Sequence, residues 1–334
     1  MYETAYHEKD LSDLSFLVTG GAGFIGSNLV EYLLHHGVKQ LRVVDNLAEG
    51  KLENIEPFLA DDRFEFMEAD LTDPAVCVAA CKDIDIVNHQ AALGSVPRSI
   101  ETPLATNAAN VTAFLNMLTA AKDAGIHRFV YASSSSVYGD NPKMPKEEAK
   151  IGNPLSPYAA TKRINEIYAK VFALNYGTEA IGLRYFNIFG PRQKPDGPYA
   201  AVIPLFMDAL LQDRAPKIFG DGEQSRDFTF VANAVQANVR AMVTDNQAAF
   251  DHVFNIACGE RATVNQLFNH LKSLVDSDLE PNYAPPRKGD IPHSLADISQ
   301  ARELLGYQPE VNLETGLTHT FSWFRKRFGT PANS

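Results

Sequence analysis

The segment Thr19-Gly20-Gly21-Ala22-Gly23-Phe24-Ile25-Gly26 constrains this chain more than any other. Gly20, Gly23 and Gly26 recur at every third position, after the apolar run Phe16-Leu17-Val18 and at the start of a helical pattern from Phe24 to His36. A strand-to-helix turn that holds a dinucleotide needs this spacing. Glycine allows the tight bend, lets backbone N–H groups (Phe24 and Ile25 among them) approach a pyrophosphate at the positive end of the helix, and lets helix and strand pack closely. Asp45 ends the next strand-like run, where a carboxylate accepts both ribose hydroxyls of adenosine and repels a 2′-phosphate, so the expected cofactor is NAD rather than NADP. Asn46 beside it, and Asp70 and Leu71 after the third run, are expected on the adenosine side.

The rhythm around this turn is βαβ: Phe16–Thr19, Leu41–Asp45, Phe64–Met67, Ile84–Asn88, Arg128–Ala132 and Ala180–Arg184 read as strands. Helical patterns separate them, the long ones at Pro103–Ala124 and Pro157–Tyr176. The expected class is α/β, a Rossmann-type doubly wound parallel sheet covered on both faces. After Phe186 the texture turns Gly- and Pro-rich, so a division is expected into residues 1–186, with 1–14 as an N-terminal extension, and a smaller α/β substrate domain, 187–334. Segments near 227–256 are expected to be able to pack back on the first domain.

A net charge of −11 argues against coating nucleic acid or an anionic membrane, both of which need a basic surface. An anionic ligand must therefore meet a local cluster of Arg and Lys. Cys77, Cys81 and Cys258 form neither a disulfide framework nor, with any nearby histidine, a zinc set, so no metal is expected and a reducing compartment fits. With no apolar run long enough to span a bilayer, the reading is a cytoplasmic protein.

Tyr158 and Lys162 stand four residues apart, on one face of a helix. A cation beside a phenol favours the phenolate and makes the tyrosine a usable base for a hydroxyl proton. The serine-rich exit Ser133-Ser134-Ser135-Ser136 follows a strand, where ligands of parallel sheets sit. Together with the Gly20 motif and Thr106-Asn107-Ala108-Ala109-Asn110, these residues resemble the extended short-chain dehydrogenase/reductase family, over Ser15 to Phe328. The resemblance implies that Tyr158 is the catalytic base and acid, that Lys162 holds the nicotinamide ribose, and that Ser134 bonds the reacting oxygen. It implies a relay or backbone role for Asn107. Gln90, Ala91, Ala92, Gly94 and Ser95 would lie on a loop passing cofactor and sugar, and Tyr185 near the cofactor.

The similarity extends to nucleotide-sugar members. Asn187 would contact the diphosphate or sugar, Val202 and Lys217-Ile218-Phe219 would pack on uracil, and Arg226 with Arg287 and Asp290 would clamp the diphosphate and bind the ribose. Related dehydratases carry Asp-Glu, and decarboxylases Glu, after the catalytic hydroxyl residue; Ser135 and Ser136 stand there instead, and a hydroxyl cannot do a carboxylate's chemistry. Epimerisation at C4 of a UDP-sugar remains. Ser294 falls where related epimerases place the residue that limits sugar size, and its smallness points to UDP-GlcNAc and UDP-GalNAc. The alternatives are the UDP-glucose/UDP-galactose pair, UDP-uronic acids, a 4-keto reductase, and a catalytically silent NAD-sensing scaffold. Apolar residues beyond one stripe in the helices near 103–124 and 157–176, with the family's habit of pairing them, imply a homodimer.

Overall fold

The computed structural model describes residues 1–195, 201–286 and 293–328. Its first strands are β1 (Ser15–Thr19), β2 (Gln40–Asp45), β3 (Phe64–Glu68), β4 (Ile86–His89), β5 (Arg128–Ser134) and β6 (Glu179–Tyr185). A seventh, Val253–Ile256, pairs with β6, and the sheet runs seventh strand, β6, β5, β4, β1, β2, β3. All its pairings are parallel. The order reverses between β1 and β4, which opens a crevice beyond their carboxyl ends. This is the doubly wound Rossmann-type architecture expected above.

The helices before β6 are α1 (Phe24–His35), α2 (Pro74–Ala80), α3 (Val96–Glu101), α4 (Pro103–Asn107), α5 (Ala113–Asp123) and α6 (Pro157–Tyr176). Because strand side chains alternate, Phe16 and Val18 join one core with Leu29 and Leu33 of α1 and Val235 and Val239 of the helix Val231–Val243. Leu17 joins the other, with Phe114 and Met117 of α5 and Phe172 of α6. Each such side chain, fully buried, contributes ~1.5–3 kcal/mol. The late helix Val231–Val243 and the seventh strand therefore complete the sheet, while Lys217–Phe219 pairs in parallel with Asn282–Ala284 in the smaller lobe.

Three local expectations shift. β4 begins at Ile86 rather than Ile84, because Asp85 is engaged with Ser15, accepting its N–H at 2.8 Å and donating its own to the Ser15 carbonyl at 2.9 Å. The helix over Pro103–Ala124 is interrupted by a π-helical turn, Ala108–Thr112. The polar Met1–Leu14 extension lies along α1: Tyr2 is buried and donates to Asn28 Oδ1 at 2.9 Å, and the Tyr6 ring stacks on Tyr32 at 5.1 Å. Among the described residues, no helix is long and apolar enough to cross a membrane.

Candidate active site

The glycine turn closes against β4. Gly20 has φ +66°, and a Cβ there would meet Ala91 N at 2.7 Å, while a Cβ on Gly26 would overlap the Gly20 carbonyl oxygen. α1 starts from Gly23 with no side-chain cap, so its first N–H groups remain for a ligand. Asp45, buried, accepts the Ala22 N–H at 3.0 Å and the Leu47 N–H at 2.8 Å, which leaves about two of a carboxylate's four acceptor positions. Burial pushes its pKa up, against the two backbone bonds and the charge of Lys194. Asn46 donates to Asp70 at 3.1 Å, and Leu71 is buried beside them.

The loop after β4 is held from several sides. Ala91 N–H donates to Thr19 Oγ1 at 3.3 Å, and Ala92 follows, partly buried. Gln90 donates to Asn88 at 2.6 Å and to Asn238 at 3.0 Å, and accepts from the Tyr185 hydroxyl at 3.0 Å. Asn238, fully buried on the late helix, ties Gln90 and Tyr185 together, a role sequence reasoning missed. His89 beneath them is driven down to about 3 by burial, with Lys162 pushing the same way, and stays neutral. Asn107 is exposed at the end of α4. It is buried Asn110 that accepts the Leu93 N–H at 2.7 Å and donates to the Leu93 carbonyl and Thr161 Oγ1, both at 3.1 Å. Gly94 is exposed, and Ser95, with φ +93°, spends its hydroxyl capping α3 through the Arg98 N–H.

Ser134 ends β5, and its Oγ accepts the Ser136 N–H at 3.1 Å. Ser156 caps α6 and fixes Tyr158 in the first turn. Burial raises the Tyr158 phenol above its ordinary pKa, and a hydrogen bond with Ser134 pulls it back down. Lys162 is 3 % exposed and donates to the Ala132 carbonyl at 2.9 Å, with Nζ 6.0 Å from the Tyr158 ring centre. Burial pushes it down to about 8, opposed by Glu166. Ser135 is partly buried, and the Ser136 hydroxyl is buried without a protein partner among the described residues. Tyr158, Ser134 and Lys162 thus converge at the carboxyl end of β5, but the phenol stands above its ordinary pKa rather than below it as the Tyr158–Lys162 spacing led one to expect, because burial outweighs the Ser134 bond.

A cavity of about 520 Å³ in the smaller lobe is lined by Val202, Lys217, Ile218, Phe219 and Arg226, among others. Asn187, exposed with φ +41°, donates to the Asp227 carbonyl at 2.9 Å. Ser294 N–H donates to the Ser225 carbonyl at 3.0 Å, which ties its backbone to the residue before Arg226. Asp227, fully buried, receives N–H groups from Cys258 (3.0 Å), Gly259 (3.1 Å) and Ala296 (3.3 Å), so the residue after Arg226 pins two distant segments, 258–259 and 296, to its own. In the sequence it stands beside Arg226 in the motif that resembles the family's diphosphate clamp, but its bonds to distant segments are not legible there. Arg287 and Asp290 lie outside the described residues.

Residues 16–257 match the NAD dependent epimerase/dehydratase family, and the chain belongs to it. The UDP-glucose 4-epimerase of Mycolicibacterium smegmatis is 39 % identical over 316 residues, 93 % of this chain and 98 % of that one. A UDP-N-acetylglucosamine 4-epimerase from Methanobrevibacter ruminantium M1, solved with UDP-N-acetylmuramic acid, is 42 % identical with a TM-score of 0.90, covering 95 % of this chain and 100 % of that one. The UDP-glucuronic acid 4-epimerase of Bacillus cereus, solved with UDP-glucuronic acid and NAD, is 30 % identical with a TM-score of 0.88, covering 94 % of this chain and 100 % of that one.

NAD, the cofactor of the family, fits the residues present. The uncapped start of α1, the Gly20–Ala91 approach that excludes a side chain, and the spare acceptors of Asp45 match a pyrophosphate followed by a ribose diol. The neutral His89 adds no competing charge behind the turn.

Proposed function

We propose that this NAD-dependent UDP-sugar 4-epimerase works on the N-acetylated pair, UDP-GlcNAc and UDP-GalNAc. The observation that carries this reading is Ser294: this small residue, at the position where the resemblance puts the residue that limits sugar size, is held by its N–H on the Ser225 carbonyl, next in the chain to Arg226 of the cavity wall. Arg226 and Asn187 would bind diphosphate or sugar. The register of Lys217–Phe219 on Asn282–Ala284 turns the main-chain groups of residues 216, 218 and 220 toward the partner strand, as in Asn282 N–H to Pro216 O and Gly220 N–H to Ala284 O, both 2.8 Å. Lys217 therefore turns its main-chain donor and acceptor the other way, a pair that complements uracil. Arg287 and Asp290 are proposed to complete the diphosphate and ribose contacts.

In the proposed mechanism NAD, which the Gly20–Gly26 turn, Asp45 and Lys162 would hold, would supply a reversible hydride acceptor for C4. Tyr158, as phenolate, removes the C4 hydroxyl proton and later gives it back. The Lys162 ammonium lowers the cost of that phenolate, and Ser134 bonds the C4 oxygen and shares the proton path. Ser135 and Ser136, hydroxyls in place of carboxylates, support simple epimerisation over elimination or decarboxylation. Epimerisation involves no net redox, so no added reductant or oxidant should be needed.

A homodimer is proposed through α4 and α6. Leu104 (86 % exposed) and Leu174 (77 %), with Ile167 and Val171, leave on these helices an apolar surface that a second copy would cover. Light scattering should return twice the chain mass.

The deciding experiment is incubation of purified protein with UDP-GlcNAc and no added cofactor. UDP-GalNAc is the expected product. Conversion of UDP-glucose or UDP-glucuronate alone would move the substrate to that pair, and NADH-dependent turnover of a 4-keto sugar without epimerisation would make it a reductase.

A further inference from the structure

Glu166 lies one helical turn beyond Lys162 on α6 and is 4 % exposed. Its Oε1 accepts from the Ser133 hydroxyl at 2.7 Å and from Arg184 Nε at 2.8 Å. Its Oε2 accepts from Arg184 Nη2 and Arg163 Nη1, both at 3.0 Å. Four donors saturate the carboxylate. Ser133 is the neighbour of Ser134 on β5, and Arg184 the neighbour of Tyr185 on β6. The bonds continue inward: Arg184 Nη1 donates to the Tyr138 hydroxyl at 3.0 Å, Tyr138 donates to Asn255 Oδ1 at 2.6 Å, and Asn255 Nδ2 donates to the Asp297 carbonyl at 2.9 Å, three residues beyond Ser294. Ser133, Glu166, Arg184, Tyr138 and Asn255 are each at most 4 % exposed. A buried ion pair of this kind is a poor source of stability, because desolvation offsets its attraction. What it does well is orient, since a saturated network admits one arrangement.

Resting on the reading of Tyr158 and Lys162 as the reacting pair, we propose that Glu166 is a positioning residue: it locks Ser134 and the Tyr158–Lys162 face of α6 into one register, with Arg184 as its counter-ion and Asn255 carrying the connection to the Ser294 segment. Its negative charge also faces the buried ammonium of Lys162 from the next turn and favours the charged form.

The test uses NAD-loaded protein. Glu166→Met/Arg184→Met removes both charges together, an exchange that buried pairs tolerate. It is expected to fold and hold NAD with KM within about twofold of wild type, while kcat falls at least about tenfold, since a misplacement of ~1 Å can cost 10²-fold. Glu166→Gln, which strips the charge alone, is expected to move the alkaline limb of the kcat profile down by about one pH unit. It should also lower the pH at which Tyr158 ionises, because one negative charge fewer stands behind the phenolate, read as phenolate absorbance against Tyr158→Phe with no substrate present. That optical readout is independent of which sugar the enzyme turns over, so it separates failure of this proposal from failure of the substrate reading. A folded, NAD-loaded double variant with wild-type kcat, or an unmoved Tyr158 titration in Glu166→Gln, overturns it.

Discussion

Replacing Lys162 by Met should make the NAD-free protein more stable while destroying its activity. Burial pushes the Lys162 ammonium from the ordinary 10.5 down to about 8, and at 3 % exposure solvent does not screen it. At ~1.36 kcal/mol per pH unit, keeping that charge in the folded state costs about 3 kcal/mol near neutrality. Methionine fills a similar volume without charge but forfeits the bond to the Ala132 carbonyl, worth ~1 kcal/mol net, so a gain of about 2 kcal/mol is expected at pH 7. Below pH 8 folded and unfolded wild type are both protonated and the penalty is complete. Between 8 and 10.5 the unfolded chain binds more protons, so wild-type stability rises with pH, and above 10.5 the penalty is gone. The advantage of the variant should therefore shrink across that window. Urea unfolding of both proteins at pH 7 and pH 10.5 measures it. A variant that is less stable at pH 7, or an advantage equal at both pH values, would refute the assignment of a strained catalytic cation.

Tyr158→Phe should lower kcat by about 10²–10⁴-fold with NAD content unchanged, because the phenol holds a proton path and not the fold; loss of bound NAD instead would place Tyr158 in cofactor retention. Gly26→Ala drives a Cβ into the Gly20 carbonyl. The purified variant should contain little NAD by absorbance, and full occupancy would show that the turn can open. Ser294→Tyr should abolish turnover of the acetylated sugars by steric exclusion, and continued conversion of UDP-GlcNAc would sink the pocket assignment.

Much of the site could be read along the chain wherever a local rule had one solution. Gly20 is required by its positive φ and Gly26 by a backbone contact within the turn, and Tyr158 and Lys162 by one turn of helix. What escaped depended on contacts between distant segments. The resemblance pointed to Asn107 for the backbone role, but Asn107 is exposed ahead of the π-helical turn, and the bonds to Leu93 fall to Asn110 within it. Glu166, beside Arg163 and one turn from Lys162, reads as a solvated charge until β5 and β6 bring Ser133 and Arg184 over it. Asn238 looks like a polar interruption of an apolar helix, and only the packing of that helix under the sheet explains it. Ser95 carried a legible signal that was read for substrate: a serine with Pro97 in the next turn is a helix start.

The seventh strand has a consequence for how the chain is made. β6 is synthesised by Tyr185, but its outer edge is covered only when Val253–Ile256 emerges, and the Phe16–Val18 face waits for the helix Val231–Val243. At ~5–20 residues per second that interval lasts on the order of 4–14 s on the ribosome. Throughout it an apolar sheet edge, able to pair with the same edge of a neighbouring nascent chain, stands bare. Slow codons or a stalled ribosome between those two points should therefore turn this protein toward aggregation more sharply than a pause anywhere before β6.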